Sequence, residues 1–141
     1  MAALTASRLT RERLQPKGRR FAVAASTTIY EGAIVALKTT AGHTYAQGAA
    51  TATGLTVVGV AAGLADNSLG AAGAISVDVQ TGVFLVDIDS GDPVTLADVG
   101  ATVYATDDHT IARTSASSTK SAAGTLFDID AATGGAWVKF S

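Results

Sequence analysis

The chain holds only two histidines, His43 and His109, and both fall where glycine and polar residues signal hairpin turns. Nucleophilic catalysis needs a hydroxyl or thiol, a base and an orienting acid within hydrogen-bond reach. Serines are plentiful, but no G-x-S-x-G elbow presents one. There is no cysteine to supply a thiolate, a disulfide or a thiolate zinc site. The run Asp87-Ile88-Asp89-Ser90-Gly91-Asp92 has the outline of a calcium loop. An EF-hand wants Asp or Asn at its fifth position, Gly at its sixth and Glu at its twelfth. Here those positions hold Gly91, Asp92 and Asp98. Asp87, Asp89 and Asp92 therefore read as solvated acids at a strand end, as do Asp107-Asp108 and the pair Asp128 and Asp130. Paired carboxylates can hydrolyse glycosides, but such a site sits in a cleft that aromatics normally line, and the chain has one Trp and three Tyr. Neither G-x-x-x-x-G-K-[ST] nor a G-x-G-x-x-G between strand and helix is present to cradle a phosphate. The expectation is a non-enzyme, with no catalytic residue, no metal and no cofactor.

A second kind of chemistry is electrostatic. Residues 1–20 carry Arg8, Arg11, Arg13, Lys17, Arg19 and Arg20 against Glu12 alone, whereas residues 21–141 carry 4 basic and 11 acidic side chains. The net charge of -2 hides a cationic leader on an acidic body, and opposite charges suit different partners. Arginine clusters neutralise phosphates with little sequence requirement. An acidic body nearby would repel a duplex, and the leader has no aromatic side chain to stack on single strands. Its arginines alternate with Leu4, Leu9 and Leu14, which suits an acidic, partly apolar protein groove better than nucleic acid. Residues 4–14 are too short for a stable isolated helix, so the leader reads as an extended arm of residues 1–20, ending at Pro16 and Gly18. It could reach roughly 60–70 Å. The expected contact residues are Leu4, Arg8, Leu9, Arg11, Arg13, Leu14, Lys17, Arg19, Arg20 and Phe21.

What must position such a leader is the body, residues 21–141. Ala, Gly, Ser and Thr make up more than half of the chain, and aromatics only 6%. Small side chains bring little apolar surface out of water, which favours further burial between copies or against a partner. The length suits one domain. No run approaches a membrane span, and no apolar signal core follows the basic start. The chain reads as soluble, unprocessed and made in a reducing cytoplasm. Short segments rich in Val, Ile, Thr, Tyr and Phe are punctuated by Gly, Asp and Asn, which is the pattern of strands and turns. Strands are expected at 20–24, 34–39, 44–47, 56–61, 74–80, 82–87, 93–95, 102–105, 110–114, 124–128 and 136–140. The clearest alternation sets Ile75, Val77 and Val79 against Ser76, Asp78 and Gln80. Helical turns are possible at 66–72 and 95–99. Gly32-Ala33-Ile34-Val35 with His43-Thr44-Tyr45-Ala46 is echoed by Gly100-Ala101-Thr102-Val103 with His109-Thr110-Ile111-Ala112, each with the grammar of a β-hairpin. The expected fold is all-β: a small barrel or sandwich of short antiparallel strands with an extended N-terminal arm.

The segment from Val57-Val58-Gly59-Val60-Ala61 to Gly82-Val83-Phe84-Leu85-Val86 resembles the small β-barrel cement, or decoration, proteins of tailed-bacteriophage capsids. A "GVA" strand runs into an Ala/Gly/Asp loop, a strand with Val77 and Val79, then a Gly-Val-Phe partner. Glu31-Gly32-x-x-Val35, Gly91-Asp92-Pro93-Val94 and Gly100-Ala101-Thr102-Val103 extend the likeness over roughly residues 21–115, in texture and order. The resemblance implies a virion protein on the outer surface of the capsid. It would bridge major capsid protein subunits, as a trimer more often than a dimer, with an N-terminal arm across the lattice. It implies neither nucleic acid nor membrane as partner. Residues 113–123 match nothing in the family. Other classes remain open: a tail or head-fibre module, or a carbohydrate-binding or hydrolytic β-domain in which Tyr30, Tyr45, Tyr104 and Trp137 would converge.

Overall fold

A computed structural model describes residues 18–141. The fold is all-β, with twelve strands among the described residues: β1 (Gly18–Ala22), β2 (Thr27–Ile29), β3 (Ile34–Thr40), β4 (His43–Gly48), β5 (Thr56–Ala61), β6 (Ala65–Asn67), β7 (Ser76–Gln80), β8 (Gly82–Ile88), β9 (Thr102–Ala105), β10 (Thr110–Ala112), β11 (Ala122–Asp130) and β12 (Gly135–Phe140). They form a five-stranded sheet in the order β1-β7-β5-β3-β4, a closed barrel β10-β8-β12-β11-β9, and a two-stranded sheet β2-β6. Every strand pair is antiparallel except β8 with β10, which are parallel. The intervening chain holds β9 and a short 3-10 turn at Leu96–Asp98, long enough for the crossover a parallel pair requires.

The five-stranded sheet also curls. Past the end of β1, Val23 bridges Ala46 of β4, and the Ala24 N–H donates to the Ala46 carbonyl at 2.9 Å. The two edges thus meet at this bridge, and no ladder joins them along β1 itself. Inside lies one core of Val23, Ile29, Ala33, Val35, Ala46, Ala61, Ala65, Val77 and Val79, with Phe21 and Val58 partly buried against it. The β2-β6 pair flanks it, and the buried Asn67 amide donates to the carbonyls of Ala24 and Ala71, both at 2.9 Å.

The consecutive apolar run Ile34-Val35-Ala36 explains how the sheet and the closed barrel share a wall. Successive side chains of a strand point to opposite faces, and here both faces are dry. Val35 enters the curled sheet, while Ile34 and Ala36 join the closed barrel's core with Val103, Ile111, Leu126, Val138 and Phe140. Alanines at 33, 36, 46, 61, 105, 123 and 136 are all buried. The narrow interiors of short-stranded barrels take small side chains, so the alanine content reflects strand packing.

Both expected hairpins form, β3 with β4 and β9 with β10, but in different sheets. Between β3 and β4 the two-residue turn Ala41-Gly42 has φ of 51 and 79, the double-positive pattern that matches strand twist. Residues 93–95 are not a strand. Thr95 instead caps the 3-10 turn: its side chain accepts from the Ala97 N–H, and Asp98 accepts the Thr95 N–H at 2.8 Å. This agrees with a helical turn at 95–99. The expected turn at 66–72 gives way to β6, because Asp66 is held across the strand pair by the Thr28 hydroxyl at 3.1 Å.

The boundary of the arm also moves. Gly18, Arg19 and Arg20 belong to β1, in register with Gln80, Val79 and Asp78, and Arg20 Nε lies 2.9 Å from Asp78 Oδ1. Pairing with β7 makes these residues part of the body. Leu4, Arg8, Leu9, Arg11, Arg13, Leu14 and Lys17 lie outside the described residues.

Candidate functional site

Among the described residues, four exposed apolar side chains fall together on the outside of the closed barrel, while Tyr30, Leu64, Leu69, Leu96 and Val99 stand outside the strands. Registration does this. Leu85 of β8 pairs with Trp137 of β12, and Val83 with Lys139. On the other flank of β12, a bulge in β11 sets Phe127 and Asp128 against Trp137. Inward residues Val86, Leu126, Val138 and Phe140 fill the barrel, so their neighbours must face out. Val83, Leu85, Phe127 and Trp137 are all exposed, Phe127 at 59%. The result is a three-strand apolar stripe bordered by Lys139 and by Asp87 and Asp128. Singly exposed hydrophobics need no explanation, but a contiguous patch rimmed by charge is characteristic of a contact surface.

A groove of about 560 Å³ adjoins this stripe at Lys139. Phe21, Val58 and Val79 line it with Gly18, Arg19, Thr81, Lys139 and Ser141. It occupies the end at which the curled sheet stays open. Arg19 is in register with Val79 and Phe21 with Val77, so both turn toward the apolar interior. The Arg19 guanidinium lies 4.7 Å from the centre of the Phe21 ring, a cation–π placement. Arg20, Arg113 and Lys120 each have an aspartate partner. Arg19 and Lys139 have none among the described residues.

The acids considered as catalytic or metal-binding groups mostly engage the chain's own donors. Asp89 accepts from the Gly91 N–H at 2.9 Å, the Thr106 hydroxyl at 3.0 Å and Lys120 Nζ at 3.2 Å. Asp92 accepts from the Thr114 N–H and hydroxyl, at 2.9 and 2.6 Å. These bonds clamp residues 113–121 against the end of β8 and hold both carboxyls below their usual range: for Asp89 the Gly91 amide contributes most, for Asp92 the Thr114 hydroxyl. The clamp was not legible in the sequence because its partners are 22 and 31 residues apart. Among the described residues no buried side-chain polar atom lacks a partner.

Asp107, Asp108 and His109 are the one group of described residues whose ligand atoms lie close enough to share a metal ion. His109 Nδ1 is 2.9 Å from Asp108 Oδ1 and 3.1 Å from Asp107 Oδ1, and Asp107 also accepts the His109 N–H at 2.9 Å. The arrangement closes a turn. Its hydrogen bond to Asp108 raises the His109 pKa above 6.5, with the charges of Asp107, Asp108 and Asp87 adding to it against some desolvation. A histidine that gains a partner on folding stabilises fully below its unfolded pKa, and that stability is lost as pH rises through the higher folded value. Urea midpoints are therefore expected to fall from pH 6 to pH 8, and His109→Gln is expected to remove that slope. An unchanged slope in the variant would show that the pair contributes nothing.

Tyr45 and Tyr104 belong to different sheets, and β11 separates Tyr104 from Trp137 within the barrel. Tyr30 lies in the loop after β2 and is exposed. The four aromatics do not share one strand pair, so the register gives no support to the convergence that a carbohydrate cleft would need. Compared with known proteins, the chain matches no family model, no curated protein and no solved structure.

Proposed function

We propose that this chain is a non-enzymatic structural protein that docks on a larger assembly, as a capsid cement protein of a tailed phage does. It binds the outer surface of the head and bridges major capsid protein subunits, and it self-associates, most readily as a trimer. The observation that carries the reading is the apolar stripe of Val83, Leu85, Phe127 and Trp137, set on a barrel whose own core is already filled. Such a surface gains by being covered. The cationic leader of residues 1–17 fits the same role, since it precedes the first strand of the body and carries the sign opposite to an acidic lattice. Several weak contacts made at once raise the effective concentration of each.

Light scattering on the purified chain, followed by co-sedimentation with expanded and unexpanded phage heads, tests this. Saturable binding to expanded heads supports it; failure to bind any head tested, with the chain folded, counts against it. Because β1 begins at Gly18, the informative truncation removes residues 1–17 and spares the ion pair of Arg20 with Asp78. That truncation is expected to keep the circular dichroism of the full chain, to weaken head binding by about tenfold, and to flatten its dependence on salt. Unchanged affinity and salt dependence would remove the leader from the account.

A further inference from the structure

We infer that the groove at the open end of the curled sheet is a docking slot for an extended, acidic and apolar peptide segment of a partner protein. The inference rests on the docking role proposed above and names the chemistry of its partner. Three observations on the chain lead to it. The lining is apolar at Phe21, Val58 and Val79, which suits alternate aliphatic side chains of an occupant. The rim carries two cations, Arg19 and Lys139, which, like Lys38, have no carboxylate partner among the described residues, whereas Arg20, Arg113 and Lys120 do. The third observation is the edge of β1. The Val23 N–H donates to Ile75 on the β7 side, and the Ala24 N–H donates to Ala46 on the other. Alternation therefore turns the backbone groups of Arg20 away from β7; the outward carbonyl of Ala22 is taken up by the bridge to Ala46, and no strand pairs with Arg20 on that side among the described residues. A segment laid along β1 would gain main-chain hydrogen bonds from that edge, pockets for alternate side chains from the floor, and charge pairing from the rim.

The chain's own leader is the wrong occupant. It carries Arg8, Arg11, Arg13 and Lys17 against Glu12, and like charges facing Arg19 and Lys139 would oppose its entry.

The test uses the full chain, isotope-labelled, and three short synthetic peptides: alternating Leu and Asp, alternating Leu and Lys, and alternating Ser and Asp. The Leu/Asp peptide is expected to shift the amides of Arg19, Phe21, Val58, Thr81 and Lys139, and the other two to do so much less. The double variant Arg19→Glu/Lys139→Glu changes two exposed side chains and removes the Arg19 contact with the Phe21 ring, so circular dichroism first checks that it keeps the parent's fold. The variant is expected to weaken the Leu/Asp peptide by about tenfold and to admit the Leu/Lys peptide. Equal binding of all three peptides, shifts centred elsewhere, or no shift at millimolar peptide would overturn the inference. So would the same shifts arising with protein concentration alone, which would mark the groove as a contact between copies. A head-binding arm keeps the two readings apart. If heads bind the double variant as well as the parent, the slot is not used on heads and the inference fails while the docking role stands. If heads bind neither protein, the docking role fails and the peptide titration still decides the slot.

Discussion

Gly59→Val is expected to be the most damaging single substitution in the described body, with loss of the cooperative unfolding transition of the curled sheet. Gly59 has φ of 147, a conformation that side chains rarely adopt, and holding a non-glycine residue there costs about 1–3 kcal/mol. Space is the second problem. A Cβ at Gly59 would run into the carbonyl oxygen of Gln80 and come within 2.8 Å of Val79 Cγ1. Backbone cannot step aside as a flexible side chain can, and overpacking a tight interior adds about 1–3 kcal/mol. Together these approach the whole stability of many domains of this size, about 5–15 kcal/mol. The position matters because Gly59 carries the bulge of β5 against β3, where Val35 pairs with Gly59 and Ala36 with Val57. Removing the bulge would turn Val58 away from the groove or Val60 away from the shared core. Gly32→Ala is the control. Its φ is also positive, at 85, but nothing lies within 4 Å of the added carbon, so only the strain is felt. Urea unfolding followed by circular dichroism distinguishes them; equal midpoints for Gly59→Val and Gly32→Ala would refute the steric argument.

The same glycine shows what sequence could and could not convey. Period-two patterns place β5 and β9 to the residue and β3, β7 and β12 to within two residues at either end, because each strand has a wet or dry face to declare. A lone Gly inside Val57-Val58-Gly59-Val60 is itself a signal of a bulge or of a close backbone approach, and that signal was there to be taken. β2 and β6 gave no such sign: three residues each, Thr-Thr-Ile and Ala-Asp-Asn, are too few for a period. The apolar stripe was hidden for another reason. Val83-Phe84-Leu85-Val86 is apolar at every position, so either face could have been the core. Only the register with β12 decides that Phe84 joins Phe140 inside, with ring centres 6.3 Å apart, and that Leu85 joins Trp137 outside. The groove is harder still to foresee, since it draws on β1, β5, the β7–β8 turn and the end of β12, and hydrophobic pattern says nothing of which strand ends meet.

The stripe gives the second large effect. Phe127→Ser/Trp137→Ser is expected to lower the melting temperature only modestly, because Phe127 lies mostly in solvent and Trp137, though 37% exposed, packs outside the filled core, while Asp128 keeps the bulge polar. Binding to heads, by contrast, is expected to fall by more than about 100-fold. Aromatic anchors at the centre of an interface commonly contribute about 2 kcal/mol or more each, and every 1.4 kcal/mol is about tenfold in affinity. Leu69→Ser is the matched control: Leu69 is fully exposed, at 101%, but stands on the loop beyond β6, away from the barrel. If exposed apolar surface in general drove association, the control would weaken binding as well. If the stripe is the contact, only the double variant does. A double variant that sediments with heads as the parent does would mean that the partner meets another face, and the leader would then have to carry the docking alone. Exposed ion pairs of the kind its arginines would make are worth only about 0–1 kcal/mol each, which is why the outcome for Trp137 and Phe127 weighs more than any truncation.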